Sequence, residues 1–149
     1  MIIRKMTEAD ISQLVEMEKQ CFSDPWSAAA FSYELHNPLS LWLVAAEGDT
    51  VVGYVGSQTV MGEADMMNIA VSASYRRQGI GQQLVNALIE LLDTQFHAHS
   101  LALEVRVSNE PAISLYEKLG FVQVGRRPGY YRNPREDAYI LRKEWCRCE

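Results

Sequence analysis

Cysteine is scarce in this chain. Cys21, Cys146 and Cys148 are an odd number in 149 residues and too few for a disulfide scaffold. Cys146-Arg147-Cys148 would bind metal only with further ligands, and no second Cys pair or His-x-x-His supplies them. Reduced thiols of a cytoplasmic protein are expected, with no metal site. Nine Gly and 5 Pro are too few for collagen or a linker, and 48% hydrophobic residues are too many for disorder. Long apolar runs are missing: the longest mostly apolar stretch, Leu39 to Ala46, falls far short of the roughly 20 residues a spanning helix needs. Met1-Ile2-Ile3-Arg4-Lys5 leads into no apolar segment, so no signal peptide is expected. An excess of positive charge is also missing. Fourteen Lys+Arg against 19 Asp+Glu give a net charge of −5, which argues against nucleic acid or an anionic membrane as partner.

What is present is enough for one domain over residues 1–149, a length that buries roughly 68–70% of the extended surface. Ile2 to Met6 reads as a strand. Thr7, with Asp10 three residues on, resembles a capping box for a helix that carries Ile11, Leu14, Val15 and Phe22 and runs to about Cys21. Asp24-Pro25-Trp26 breaks it, and Ser27 caps a second helix through His36. The period then changes to two: Ser40–Ala46 and Thr50–Thr59 read as a hairpin, and Ala64–Val71 as a third strand. Gly79 to Gln95 is helical, Leu101–Val107 a strand, and Asn109–Leu119 a helix with Pro111 in its first turn and Gly120 as its stop. Phe121–Arg126 and Asp137–Arg142 read as strands around a polar loop. The order β-α-α-β-β-β-α-β-α-β-β predicts an α/β (α+β) fold, a mixed central sheet with helices on both faces.

The chemistry-bearing segment is Asn68 to Gly81, a strand that enters a helix through Arg76-Arg77-Gln78-Gly79-Ile80-Gly81. Small residues at a helix start let backbone N–H groups reach an anion, helped by the helix dipole and two arginines. The spacing suits a diphosphate but neither a P-loop, which needs Lys-Ser/Thr, nor a dinucleotide fingerprint, whose third Gly is Leu84 here.

Strand, Arg-x-x-Gly-x-Gly and long helix resemble the acetyl-CoA signature of the Gcn5-related N-acetyltransferase superfamily, and the element order over the whole chain is that family's. Ser108 to Phe121 is similar to its second strong motif. Phe22-Ser-Asp-Pro-Trp-Ser27, Leu103 to Asn109 and Gly129 to Ala138 look like the bacterial RimI-type enzymes, which acetylate the N-terminal alanine of a small-subunit ribosomal protein. The resemblance implies Glu104 as general base and Tyr116 as general acid. It implies that the stretch Ile69, Ala70 and Val71, with Arg76, Arg77, Gln78, Gly79, Ile80, Gly81, Gln82 and Asn109, holds acetyl-CoA. Trp26, Tyr130 and Tyr131 are candidates for the acceptor peptide.

Each residue also has a plainer reading. Glu104, in an otherwise apolar strand, is either solvent-facing or in a site. Tyr116 lies seven residues after Asn109 on one helix face and is a core ring or a proton donor. Asn109 is a helix cap, a CoA contact, or both. Tyr130 and Tyr131 grip a peptide or are simply exposed, and Trp26 anchors a helix entry or borders the acceptor. Met66-Met67 reads as strand core, and His97 and His99 as residues suited to a helix C-terminus.

The expected reaction is direct acetyl transfer to an α-amine, through no cysteine. An α-amine is favoured over lysine because its pKa near 7.7–8.0 leaves more free base than one near 10.4. The ribosomal acceptors of the family carry arginines after the alanine, so Asp24, Glu34, Glu63, Asp65, Glu136 and Asp137 are expected to contribute an acidic groove. Two alternatives stand beside this: a small-molecule amine as acceptor, and a non-catalytic CoA-binding subunit.

Overall fold

Seven strands and four α-helices form in the expected order in a computed structural model that describes residues 1–145. Cys146 and Cys148 lie outside the described residues. The strands are β1 (Ile2–Lys5), β2 (Ser40–Glu47), β3 (Thr50–Val60), β4 (Glu63–Val71), β5 (Ser100–Arg106), β6 (Val122–Tyr131) and β7 (Glu136–Glu144). The helices are α1 (Ile11–Cys21), α2 (Ala28–Leu35), α3 (Ile80–Phe96) and α4 (Glu110–Lys118). Local chemistry sets the boundaries. Asp10 closes the capping box on Thr7 and is clamped by Arg4, although the first turn, Glu8–Asp10, is a 3₁₀ turn before α1. The Ser27 hydroxyl accepts from the Ala30 N–H at the start of α2, and the Asn109 side chain accepts from Ala112 at the start of α4.

The sheet order is β1-β2-β3-β4-β5-β7-β6, and only β4 and β5 run parallel. Helices cover both faces. Leu14 and Met17 of α1 and Phe31 of α2 pack with Trp42, Val44 and Tyr54 on one face. Ile80, Leu84, Leu88 and Leu92 of α3 and Tyr116 of α4 pack with Leu43, Val55, Leu101 and Leu103 on the other. Gly56 is required by the first face, because a Cβ there would sit 2.2 Å from the Trp42 ring.

Two features of the sheet make the site. The β3–β4 register slips between Gly56 and Ser57, which leaves Met67 as an extra residue. The slip reverses the facing of everything after it: Ala64 and Met66 lie on the α3 face, Met67 packs on the α1 face, and Ile69 and Val71 return to the α3 face. Beyond the bulge β4 leaves β5. Their pairing covers only Glu63↔Ser100, Ala64↔Leu101 and Asp65↔Ala102, so the central sheet splits past Asp65. The other difference from the sequence reading is β6, which runs on to Tyr131. The strand is mostly exposed, with little apolar alternation to mark it: the predicted loop is mostly a two-stranded arm, with register shifts between Arg127 and Tyr131.

Candidate active site

The mouth of the β4–β5 split gathers groups from four elements. Glu104 lies on β5 opposite Ile140 of β7, its side chain about one-quarter exposed. Burial raises its carboxyl above the ordinary range; the Arg127 guanidinium, 3.9 Å away, opposes that rise, and the charge of Asp65 adds to it. Asp65, at the root of the split, is itself raised by burial and by Glu63.

Tyr116 enters from α4. It is buried, packs edge-on against Phe121 at 5.5 Å, and points its hydroxyl at the Met66 sulfur, 3.9 Å away. Burial, then the nearby Tyr131 phenol, raise its pKa far above that of a free phenol. The hydroxyl is therefore protonated throughout the working range and its one contact is a weak acceptor. Giving up its proton to a thiolate is more uphill than for an ordinary phenol, so hydrogen-bond donation is its easier task.

Tyr131 links the two. Burial pushes it up to about 12, with further contributions from Tyr130 and Glu104, while Arg106 pulls the other way. Its ring lies under the Arg106 guanidinium at 4.4 Å and meets Tyr130 edge-on at 5.0 Å. Arg106 in turn bonds Glu136 and the carbonyls of Arg132 and Pro134, which fixes the hairpin between β6 and β7. The Asn133–Pro134 peptide in that hairpin is cis. Across the mouth, the Ser23 hydroxyl donates to the Asn133 carbonyl at 3.2 Å, so the segment between α1 and α2 touches the tyrosine hairpin.

At the other end of β4, Arg77 (φ 64°) and Gly79 (φ 79°) are both left-handed. Alternation of that kind turns successive N–H groups to one side, an anion nest. Gly79 has open space where a Cβ would be and no side chain to cap α3, and a Cβ on Gly81 would meet only Leu115, at 3.7 Å. This turn is the candidate cradle for a diphosphate, at the end of β4 that carries Ile69, Ala70 and Val71. Gln78, Ile80 and Gln82 complete the turn, with Ile80 buried in the core. Arg76 is placed differently: its Nε donates to the Val71 carbonyl and its Nη2 contacts the Cys21 sulfur, so it ties the cradle to α1.

Trp26 lies apart from this cluster, in an aromatic group with Phe31 at 5.4 Å and Trp42 at 5.2 Å. The acidic groove contracts. Glu34 is buried and bonded to Ser40 and Gln58, Glu63 pairs with Arg142, Glu136 with Arg106, and Asp137 with Arg126. Asp65 is the acid of the six that lies beside Glu104. Sequence reasoning missed Arg127, because a strand had been taken for a loop. It also missed Glu18, whose signal was a charged residue four after Leu14 on the apolar stripe of α1. Among the described residues no group of three His, Cys, Asp or Glu side chains could hold a metal ion, and no helix is long and apolar enough to cross a membrane.

The chain is similar to known proteins. The chain is 39% identical to the putative [ribosomal protein bS18]-alanine N-acetyltransferase of Bacillus subtilis, over 93% of this chain and 92% of that protein. It is 38% identical to an uncharacterized protein of Mycobacterium leprae, where the match covers 96% of this chain but only 40% of the longer relative. The crystal structure of the ribosomal-protein-S18-alanine N-acetyltransferase from Escherichia coli superposes with a TM-score of 0.89 at 32% identity, covering 99% of this chain and 96% of that one. Residues 11–121 match the family described as Acetyltransferase (GNAT) family, whose acetyl donor is acetyl-CoA. With that match spanning most of a chain whose fold agrees with it, the protein belongs to the GNAT acetyltransferase family.

Proposed function

We propose that this protein transfers the acetyl group of acetyl-CoA to the α-amine of a protein N-terminus, the N-terminal alanine of a small-subunit ribosomal protein, as the names of its relatives from Bacillus subtilis and Escherichia coli say of them. The observation that carries the reading is that Glu104, Tyr116 and Tyr131 lie close enough to feel one another's charge at the split, with Tyr130 exposed beside them.

Acetyl-CoA, when bound, supplies the thioester. The left-handed turn at 77–79 and the N–H groups of 80–82 hold its diphosphate, and the edge of β4 at 69–71 holds the arm that leads to the split. Asn109 caps α4 and borders that arm. Glu104 accepts the proton of the attacking amine, directly or through a water. Its raised affinity for protons suits the task, since an ordinary carboxylate is further from an amine in pKa. Tyr116 donates a hydrogen bond to the departing sulfur. Tyr130 and Tyr131 flank the peptide backbone. Trp26 acts through the shape of the loop that carries it, and Asp65 receives a basic residue that follows the alanine.

The test is a panel of acceptors with labelled acetyl-CoA. A peptide of Ala followed by basic residues should be acetylated, the same peptide with a blocked α-amine should not, and neutral peptides should be slower. The basic advantage should shrink between 0.1 M and 1 M salt, where the screening length falls from roughly 10 Å to 3 Å. Preference for a polyamine or a free amino acid would transfer the proposal to small amines.

A further inference from the structure

Glu18 is a fully buried acid that the reaction does not use. It sits on α1 among apolar neighbours such as Leu14 and Met17 on the same buried face, and no ion pair among the described residues includes it. Instead three donors from separate parts of the fold converge on it: the Tyr54 hydroxyl of β3, Asn68 Nδ2 of β4 at 2.6 Å, and the Trp26 backbone N–H at 2.9 Å. Burying a carboxylate is costly, and an apolar residue would serve the core better. Ionised, Glu18 accepts from all three while donating to none; protonated, it turns its proton to the Tyr54 oxygen, which can accept it, and still accepts from Asn68 and Trp26.

The partners say what the arrangement holds. Asn68 directly follows the bulged residue Met67, and its Oδ1 accepts from the Ile69 N–H at 3.0 Å. Trp26 belongs to the 22–27 segment, whose other end reaches the tyrosine hairpin through Ser23 and Asn133. Glu18 thus stands between the bulged edge of β4 and the segment that closes one side of the mouth. Glutamine could not replace it. Its amide would present a donor to donors, and Asn68 would have to turn over to offer its oxygen, withdrawing it from Ile69.

We propose that Glu18 is a positioning residue for the acceptor, which through Trp26 and Asn68 locks the 22–27 segment to the bulged edge of β4. The proposal rests on the reading of the acceptor as a peptide N-terminus. Its experiment compares Glu18→Gln, Asn68→Ala, their double variant and Tyr54→Phe. Tyr54→Phe removes one of the three bonds but leaves the Trp26–Glu18–Asn68 link. Glu18→Gln and Asn68→Ala should each raise KM for the Ala-basic peptide about tenfold, with the dissociation constant of CoA within about twofold. The double variant should be no worse than the worse single one, because one link is broken once. Tyr54→Phe should keep the acceptor KM within about threefold. Amide exchange of residues 22–27, read in the same variants, should quicken about tenfold in Glu18→Gln relative to α3 and stay unchanged in Tyr54→Phe. Unchanged acceptor KM and unchanged exchange, with only a lower melting temperature, would overturn the proposal and leave Glu18 as a core residue. If the wild-type protein does not acetylate the peptide, the acceptor reading fails, and the exchange comparison by itself decides whether Glu18 locks the segment.

Discussion

The charges around Glu104 give a prediction with two opposite signs. Arg127 Nε lies 3.9 Å from the Glu104 carboxylate, with the arginine about half exposed. At the dielectric of water, 332/(80 × 3.9) gives about 1 kcal/mol for the pair, and exposure and salt reduce it further. Arg127 favours the ionised carboxylate, so Arg127→Ala should raise the Glu104 pKa. Asp65 disfavours it, so Asp65→Asn should lower it. The assay is NMR titration of the Glu104 carboxyl in carbon-13-labelled protein, paired with the pH profile of kcat/KM. Loss of the base form steepens that profile below the pKa, so the break should move to higher pH in Arg127→Ala and to lower pH in Asp65→Asn. Both displacements should fade at 1 M salt. Displacements of the same sign, or none at low salt, would refute the electrostatic account. A carboxyl that titrates as described while the kinetic break stays fixed would instead remove Glu104 from the role of base.

Four further outcomes follow from the same contacts. Glu18 is pushed up to about 7, so folding favours its protonated form, and stability present below the unfolded value of 4.5 is lost as pH rises toward 7. The loss is about 3 kcal/mol, and urea melts of Glu18→Gln across pH 4.5 to 7.5 should show a correspondingly flatter pH dependence. Gly56→Ala forces a Cβ into the Trp42 ring and should cost about 1–3 kcal/mol in a urea melt, with activity per folded molecule retained. A Cβ on Gly81 would meet only Leu115, at 3.7 Å, so in Gly81→Ala the fold should persist while thermal protection by CoA falls; equal protection of the wild type by CoA and by dephosphorylated pantetheine would remove the diphosphate assignment. Tyr116→Phe, which deletes only a hydroxyl aimed at a sulfur, should lower kcat with little change in CoA affinity.

The element order, the caps at Ser27 and Asn109 and the glycine turn into α3 are local matters, and the sequence determined them. Each depends on residues within a few positions: a hydroxyl three residues before the N–H it accepts from, or a side chain whose absence permits a left-handed turn. The two motifs could be read for the same reason. Alternation along Leu101 to Val107 marked Glu104 as out of place but left its facing open. Only the tertiary structure decided that. The slip at Met67 exchanges the faces of β4, and a bulge leaves no trace in a run of Met-Met-Asn-Ile that is apolar on both sides. The split of β4 from β5 follows from pairing, a contact between residues 37 positions apart in Asp65↔Ala102 and missing one step later. Arg127, Pro128 and Gly129 disguised the continuation of a strand as a loop, since an edge arm needs no apolar face to pair with β7. Three of the six acids counted as a groove were claimed by Arg106, Arg126 and Arg142, and Glu18 found donors 8, 36 and 50 positions away. Charge can be counted along a chain, but which charges remain unpaired depends on distances that only folding sets.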